Sequence, residues 1–280
     1  MRSVIAIALA AAASTLFALS TSLQALEARE TPPESSLRAS LIQRLMRRRK
    51  WLLGSGAGVL AWPLQALALV FGSIALVQPA MGFGLIVLLA LGVRMLGEHV
   101  GRRELAGVSA IAVAVGVLGW AAPKSTGTFT TVGVAIVIAW LAVSLAGPYV
   151  LRVLRAGTGL TGSIVAGLGW GAVGLATALV DQAIGDRRWI VAVLWGLGVA
   201  AASWGALLAE MSALQVWPAT RAIPVVFALE MVLPAAASPG LTVHGPGVYG
   251  GVPFAIALAV AAAGAIVLGS SQAVARTVEA

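Results

Sequence analysis

The chain has 280 residues, 60% of them apolar and only 10% charged, with a mean hydropathy of +0.98. Soluble domains carry close to a quarter charged residues, so water is excluded as the main solvent. The net charge of +8 gathers in a few loops beside apolar runs, which points to membrane topology and away from nucleic acid, and the absence of cysteine excludes a disulfide framework and a cysteine zinc site.

Lipid offers no partner to backbone N–H and C=O groups, so spanning segments must be helices or closed barrels. The apolar runs are near 20 residues long and do not alternate, which selects helices. In chain order they fall near 3–24, 51–72, 73–96, 104–122, 132–151, 162–184, 189–209, 211–236 and 250–271, about nine crossings of the bilayer. Turns are expected at Gly72 and Ser73, across 97–104 and 123–130, and in the Pro/Gly-rich stretch 238–247. None of them resembles a domain linker, so 1–280 reads as a single integral membrane domain.

With alternating loops, about thirteen Lys and Arg fall on one side and about four on the other. The heavy side is expected to be cytoplasmic, placing the N-terminus outside and the C-terminus inside a bacterial inner membrane. The first run also resembles a secretory signal peptide ending in small residues at 20–25. Cleavage would require the Arg-rich stretch to be translocated, so retention is preferred. Within the cytoplasmic segment 25–50, Leu37, Leu41, Ile42, Leu45 and Met46 recur at helical spacing beside basic residues, which fits an interfacial helix or a solvated basic loop.

Internal similarity organises the rest. Ser73-Ile-Ala-Leu-Val-Gln-Pro79 and Ser212-Ala-Leu-Gln-Val-Trp-Pro218 both read S-x-x-x-V-x-P, each preceded by a basic-aromatic entry, Arg49-Lys50-Trp51 and Arg187-Arg188-Trp189. Gln24-Ala25-Leu26 likewise echoes Gln182-Ala183-Ile184. The order implies two four-helix repeats, 3–122 and 162–271, with 132–151 as a linking helix. Four spans return the chain to its starting side and the fifth carries it across, so the second repeat enters inverted. Inverted repeats are a transporter architecture with a site near the midplane.

The run from Ala68 to Pro79, with Ala-Leu-Val-Gln-Pro at its end, resembles a segment of the bacterial drug/metabolite transporter superfamily. Leu96-Gly97-Glu98 with Gly107 is similar to the Gly-Glu and Gly pattern of an EamA-like repeat, and 212–230 resembles its second copy. The closest branch is the nine-span one related to NIPA-type magnesium transporters. This resemblance implies a transporter, with a small-molecule substrate and no cofactor.

Ionisable groups inside a bilayer are costly, which marks Arg221, near the middle of the expected eighth span, and Glu230, nearer its outer end. Nine residues separate them, about 180° around a straight helix, so partners on other helices are expected. Pro79 and Pro218, with Pro224, are candidate helix breaks; Gln78, Gln65 and Gln215 are candidate hydrogen-bonding groups for a ligand or between helices. Trp62, Trp170, Trp195, Trp204 and Trp217 fit either an aromatic-lined cavity or packing against small residues. Gly54, Gly56, Gly58, Gly167 and Gly171 permit close helix contact. The G-x-G-x-x-G of residues 157–162 follows no strand, and no Walker or HExxH pattern is present, so no enzyme, metal centre or cofactor is expected.

Secondary transport of a small metabolite or drug by alternating access follows, with Arg221 attracting an anionic or zwitterionic group, Glu230 as a substrate contact that exchanges a proton, and Gln78, Gln215 and Trp217 as further substrate contacts. A divalent-cation (Mg²⁺) transporter and a non-transporting membrane scaffold or assembly factor are the alternatives. The bilayer is the expected partner, and a homodimer is compatible with the sequence.

Overall fold

A chain that must satisfy its own backbone in lipid has folded as helices almost throughout, in a computed structural model that describes residues 2–72, 74–121, 128–243 and 251–269. The helices are α1 (Arg2–Arg29), α2 (Ala39–Leu45), α3 (Arg49–Phe71), α4 (Ile74–Met81), α5 (Phe83–Leu96), α6 (Arg102–Ala121), α7 (Thr131–Val153), α8 (Leu160–Gly185), α9 (Trp189–Val216), α10 (Ala219–Leu241) and α11 (Gly251–Gly269). A single 3-10 turn, Pro33–Ser35, precedes α2. Among the described residues, five helices, α1, α3, α7, α8 and α9, are long and apolar enough to cross a membrane, and the shorter α5 and Val252–Leu268 of α11 are also apolar.

The lipid-facing surface is legible from exposure. Val59, Val70, Val153 and Ile190 are each at least 70% exposed, an arrangement that water would penalise and hydrocarbon accepts. Inside, α1 packs on α3, α4 and α5, while α8 packs on α9 and α10. Helix α7 lies against α8 and α9, and α6 lies against α11 and α4. Small residues set these approaches: a Cβ on Gly205 would lie 2.3 Å from the Ser144 carbonyl, so α7 and α9 touch backbone to backbone.

Three expected boundaries differ. The run 73–96 is two helices, α4 and α5, meeting at Gly82. Helix α9 continues without interruption through Glu210 to Val216, and the chain breaks instead at Trp217, whose backbone is extended (φ −127°, ψ 144°) as the residue before a proline prefers. At the far end, α10 continues through Ser238, Pro239 and Gly240 to Leu241. Two short strands flank the helices there: β1 (Thr128–Phe129) pairs antiparallel with β2 (Thr242–Val243), Thr128 opposite Val243. Of the expected turns, residues 122–127 and 244–250 lie outside the described residues, as does Ser73.

The two S-x-x-x-V-x-P runs do not share a backbone. Pro79 lies within α4, whereas Pro218 stands between α9 and α10. The segment 33–48 also differs from a lipid-facing helix: Leu37, Leu41, Ile42 and Leu45 are buried against the protein, and only Met46 of that set is exposed. The Leu37 N–H donates to Ser212 Oγ at 2.9 Å, anchoring the segment to α9.

Candidate functional site

Among the described residues, two polar groupings interrupt the apolar interior. The first knits one end of the bundle. Helix α5 ends at Gly97, whose left-handed φ of +64° turns the chain so that the next residue, Glu98, faces the start of α10. Glu98 accepts the otherwise unpartnered N–H groups of Ala219 (2.7 Å) and Thr220 (2.9 Å), acting as an anionic cap on α10, and it ion-pairs with Arg29 at the end of α1. The approach needs Gly92, where a Cβ would fall 2.3 Å from Thr220 Cγ2.

Beside it, Arg221 Nη2 donates to Glu104 Oε1 at 2.7 Å, and both side chains are almost fully buried. Glu104 also accepts the Gly101 N–H at 2.9 Å, the reach of a capping-box glutamate in the first turn of α6. Gln215 Nε2 donates to Thr31 Oγ1 at 2.8 Å. Arg48 pairs with Glu27 (2.8 Å) and Glu30 (2.6 Å), and its guanidinium is held above its ordinary pKa, chiefly by the Glu27 hydrogen bond. Together these bonds tie α1, the α5–α6 connection and α6 to the α9–α10 junction.

The second grouping lies within the bundle. Trp170 of α8 donates its indole N–H to Glu210 Oε2 of α9 at 2.7 Å. On the adjacent residue, a Cβ at Gly171 would come 3.7 Å from the carbonyl of Glu230, so α8 and α10 meet here too. Glu230 is eleven residues into the 23-residue α10, about 16 Å along it, and Trp170 is ten residues into α8, about 15 Å. Glu210 stands about 9 Å from the end of α9. An acid bonded to an indole, with a second acid on the neighbouring helix, therefore lies where α8, α9 and α10 face one another.

The expected positions of Arg221 and Glu230 are thus corrected. Arg221 is the third residue of α10, buried against Glu104 rather than placed at mid-span, and Glu230 is the mid-helix charge rather than an outer one. Both shifts follow from α9 ending at Val216. Gln215 is engaged by the α1–α2 connection, and Trp217 is buried against Gly159 at the same end. Pro224 is buried inside α10, which passes through it as helix. Gln78 and Pro79 belong to α4, and their side chains lie outside the described part of the structure.

Of the tryptophans, Trp62 is exposed on the lipid-facing side, and Trp204 donates to Tyr149 Oη at 3.3 Å. Gly54 and Gly58 face Ser20 of α1, Gly167 and Gly171 face α10, and Gly56 faces open space. Glu210, Glu98, Glu104 and Trp170 were not singled out by sequence reasoning as a group. An acid inside the unbroken apolar run 189–216 was the signal for Glu210, and the spacing of Gly101 and Glu104 was the signal for the cap.

No family model matches the chain, and no solved structure matches it. One curated relative, an uncharacterized protein of Corynebacterium glutamicum, is 32% identical over 114 residues, which cover 41% of this chain and 39% of the relative. The chain thus matches about two fifths of that relative's length.

Proposed function

We propose that the protein is a secondary transporter of a small cationic metabolite or drug, working by alternating access and coupled to protons through Glu210 and Glu230. The observation that carries this reading is Glu210 bonded to the Trp170 indole, with the Glu230 turn of α10 packed on the next residue of α8, inside a bundle of lipid-exposed helices. Two acids kept at that depth call for a counter-charge, which a proton or a bound cation supplies, and the indole face accommodates an organic cation. Arg221, already matched by Glu104, is given a structural role in this scheme in place of substrate binding.

The wider architecture is part of the same proposal: nine crossings, arranged as four, one and four, with the second repeat inverted and α7 as the link. It is supported by matching partners in the two halves. Helix α1 packs on α3 and on α4 with α5, as α8 packs on α9 and on α10, while α6 and α11 meet each other. Membership of the drug/metabolite transporter superfamily rests on the resemblance of residues 68–79 and 96–98. The Arg-rich end is assigned to the cytoplasm of a bacterial cell, with the N-terminus outside. Divalent cations are the weaker choice, because two carboxylates supply fewer oxygens than such ions take.

The test is flux in proteoliposomes over a panel of small organic amines, with Mg²⁺ as a further solute. A proton gradient should drive uptake of at least one amine, and Glu230→Gln and Glu210→Gln should each lower that uptake at least tenfold while leaving thermal stability intact. Flux of no solute, or undiminished amine flux in both variants, overturns the assignment.

A further inference from the structure

We propose that the exposed basic strip at the start of α3 is a binding site for anionic lipid headgroups. Four cationic side chains, Arg44, Arg47, Arg49 and Lys50, are exposed in one short stretch spanning the end of α2 and the first turn of α3. Their neighbour Arg48 is not part of the strip, because Glu27 and Glu30 hold it inward. No acidic residue occurs in the sequence between Glu34 and Glu98, so nothing within the strip itself cancels its charge.

The strip has a fixed position. Leu41, Ile42 and Leu45 bury the apolar face of α2 in the protein, and Leu37 is bonded to Ser212, which leaves the basic face outward. The first turns of α3 set its depth. Leu52 and Leu53 are 49% and 68% exposed and begin the lipid-facing surface of α3, so Arg49 and Lys50 stand only about 5 Å from hydrocarbon-facing residues. That is the level of the headgroups. Met46, 55% exposed between Arg44 and Arg47, supplies an apolar contact for acyl chains at the same height. Clustered Lys and Arg next to a spanning helix attract anionic headgroups by about 1 kcal/mol each, or roughly fivefold in affinity per charge. The site is independent of any transport activity.

The experiment uses the full chain purified in a neutral detergent, with its melting temperature followed during titration by phosphatidylglycerol, phosphatidylcholine, or water-soluble glycerol phosphate. Phosphatidylglycerol should raise the melting temperature in a salt-sensitive manner, and neither of the others should do so at equal concentration. The variant Arg44→Gln/Arg47→Gln/Arg49→Gln/Lys50→Gln should weaken the phosphatidylglycerol effect by about a hundredfold or more, whereas Arg187→Gln/Arg188→Gln, at the start of α9, should leave it unchanged. If the fourfold variant does not fold, Arg47→Gln and Arg49→Gln singly should each weaken it about fivefold, and Arg47→Lys should not. An undiminished lipid response in these glutamine variants, an equal response to phosphatidylcholine, or an equal response to glycerol phosphate, which would mark a soluble-phosphate site, overturns the proposal.

Discussion

Arg221 and Glu104 form an ion pair in which both side chains are almost fully buried. Removing one partner of such a pair strands a charge in low dielectric and costs about 3–5 kcal/mol, whereas removing both charges together costs far less. Arg221→Met should therefore lower the stability of the detergent-solubilised protein by that amount, and the added change Glu104→Gln should restore most of it, since glutamine still offers an acceptor to the Gly101 N–H. Denaturant or thermal unfolding reads both. Unchanged stability in Arg221→Met would return Arg221 to the candidates for substrate contact. Arg221 and Glu230 were recognisable as charges in apolar surroundings, but their depth depended on where one helix ended, and a shift of several residues exchanged their places. The partners Glu98 and Glu104 could not be assigned from sequence, because each acts on an element more than a hundred residues away.

Most helices were legible as elements, because lipid leaves an apolar run of about 20 residues little alternative to helix. Their ends were less so. Trp217-Pro218 carries the stop signal that ends α9, and Glu210, bonded to Trp170, does not interrupt the helix. How closely helices approach is written in the glycines, though only position distinguishes them. Gly205→Ala places a methyl group 2.3 Å from the Ser144 carbonyl and should separate α7 from α9, at a cost of about 1–3 kcal/mol. Gly56→Ala meets nothing within 4 Å and should be neutral or stabilising by up to about 1 kcal/mol, through helix propensity. Melting temperatures of the two variants side by side test whether these contacts are as tight as described.

Across the whole molecule, the end that carries most of the basic residues is tied by charge, through Arg29, Glu98, Glu104 and Arg221, between elements of the first half and the α9–α10 junction. Alternating access would have to loosen these bonds. The chain has no cysteine, so Ala219→Cys, at a position fully buried beneath Glu98, gives a probe without background. A water-soluble maleimide should label it slowly in the parent and several-fold faster when Arg29→Gln and Glu98→Gln are added; equal rates would mean that this end does not open through the bonds described.

The central claim, that Glu210 and Glu230 couple solute movement to protons, is tested most directly by proton flux itself. In proteoliposomes containing a pH-sensitive dye and no imposed gradient, addition of a transported amine should move protons against the amine, and Glu230→Gln should abolish the dye signal. Amine uptake with no proton movement in the parent, or an unaltered dye signal in Glu230→Gln, would contradict it.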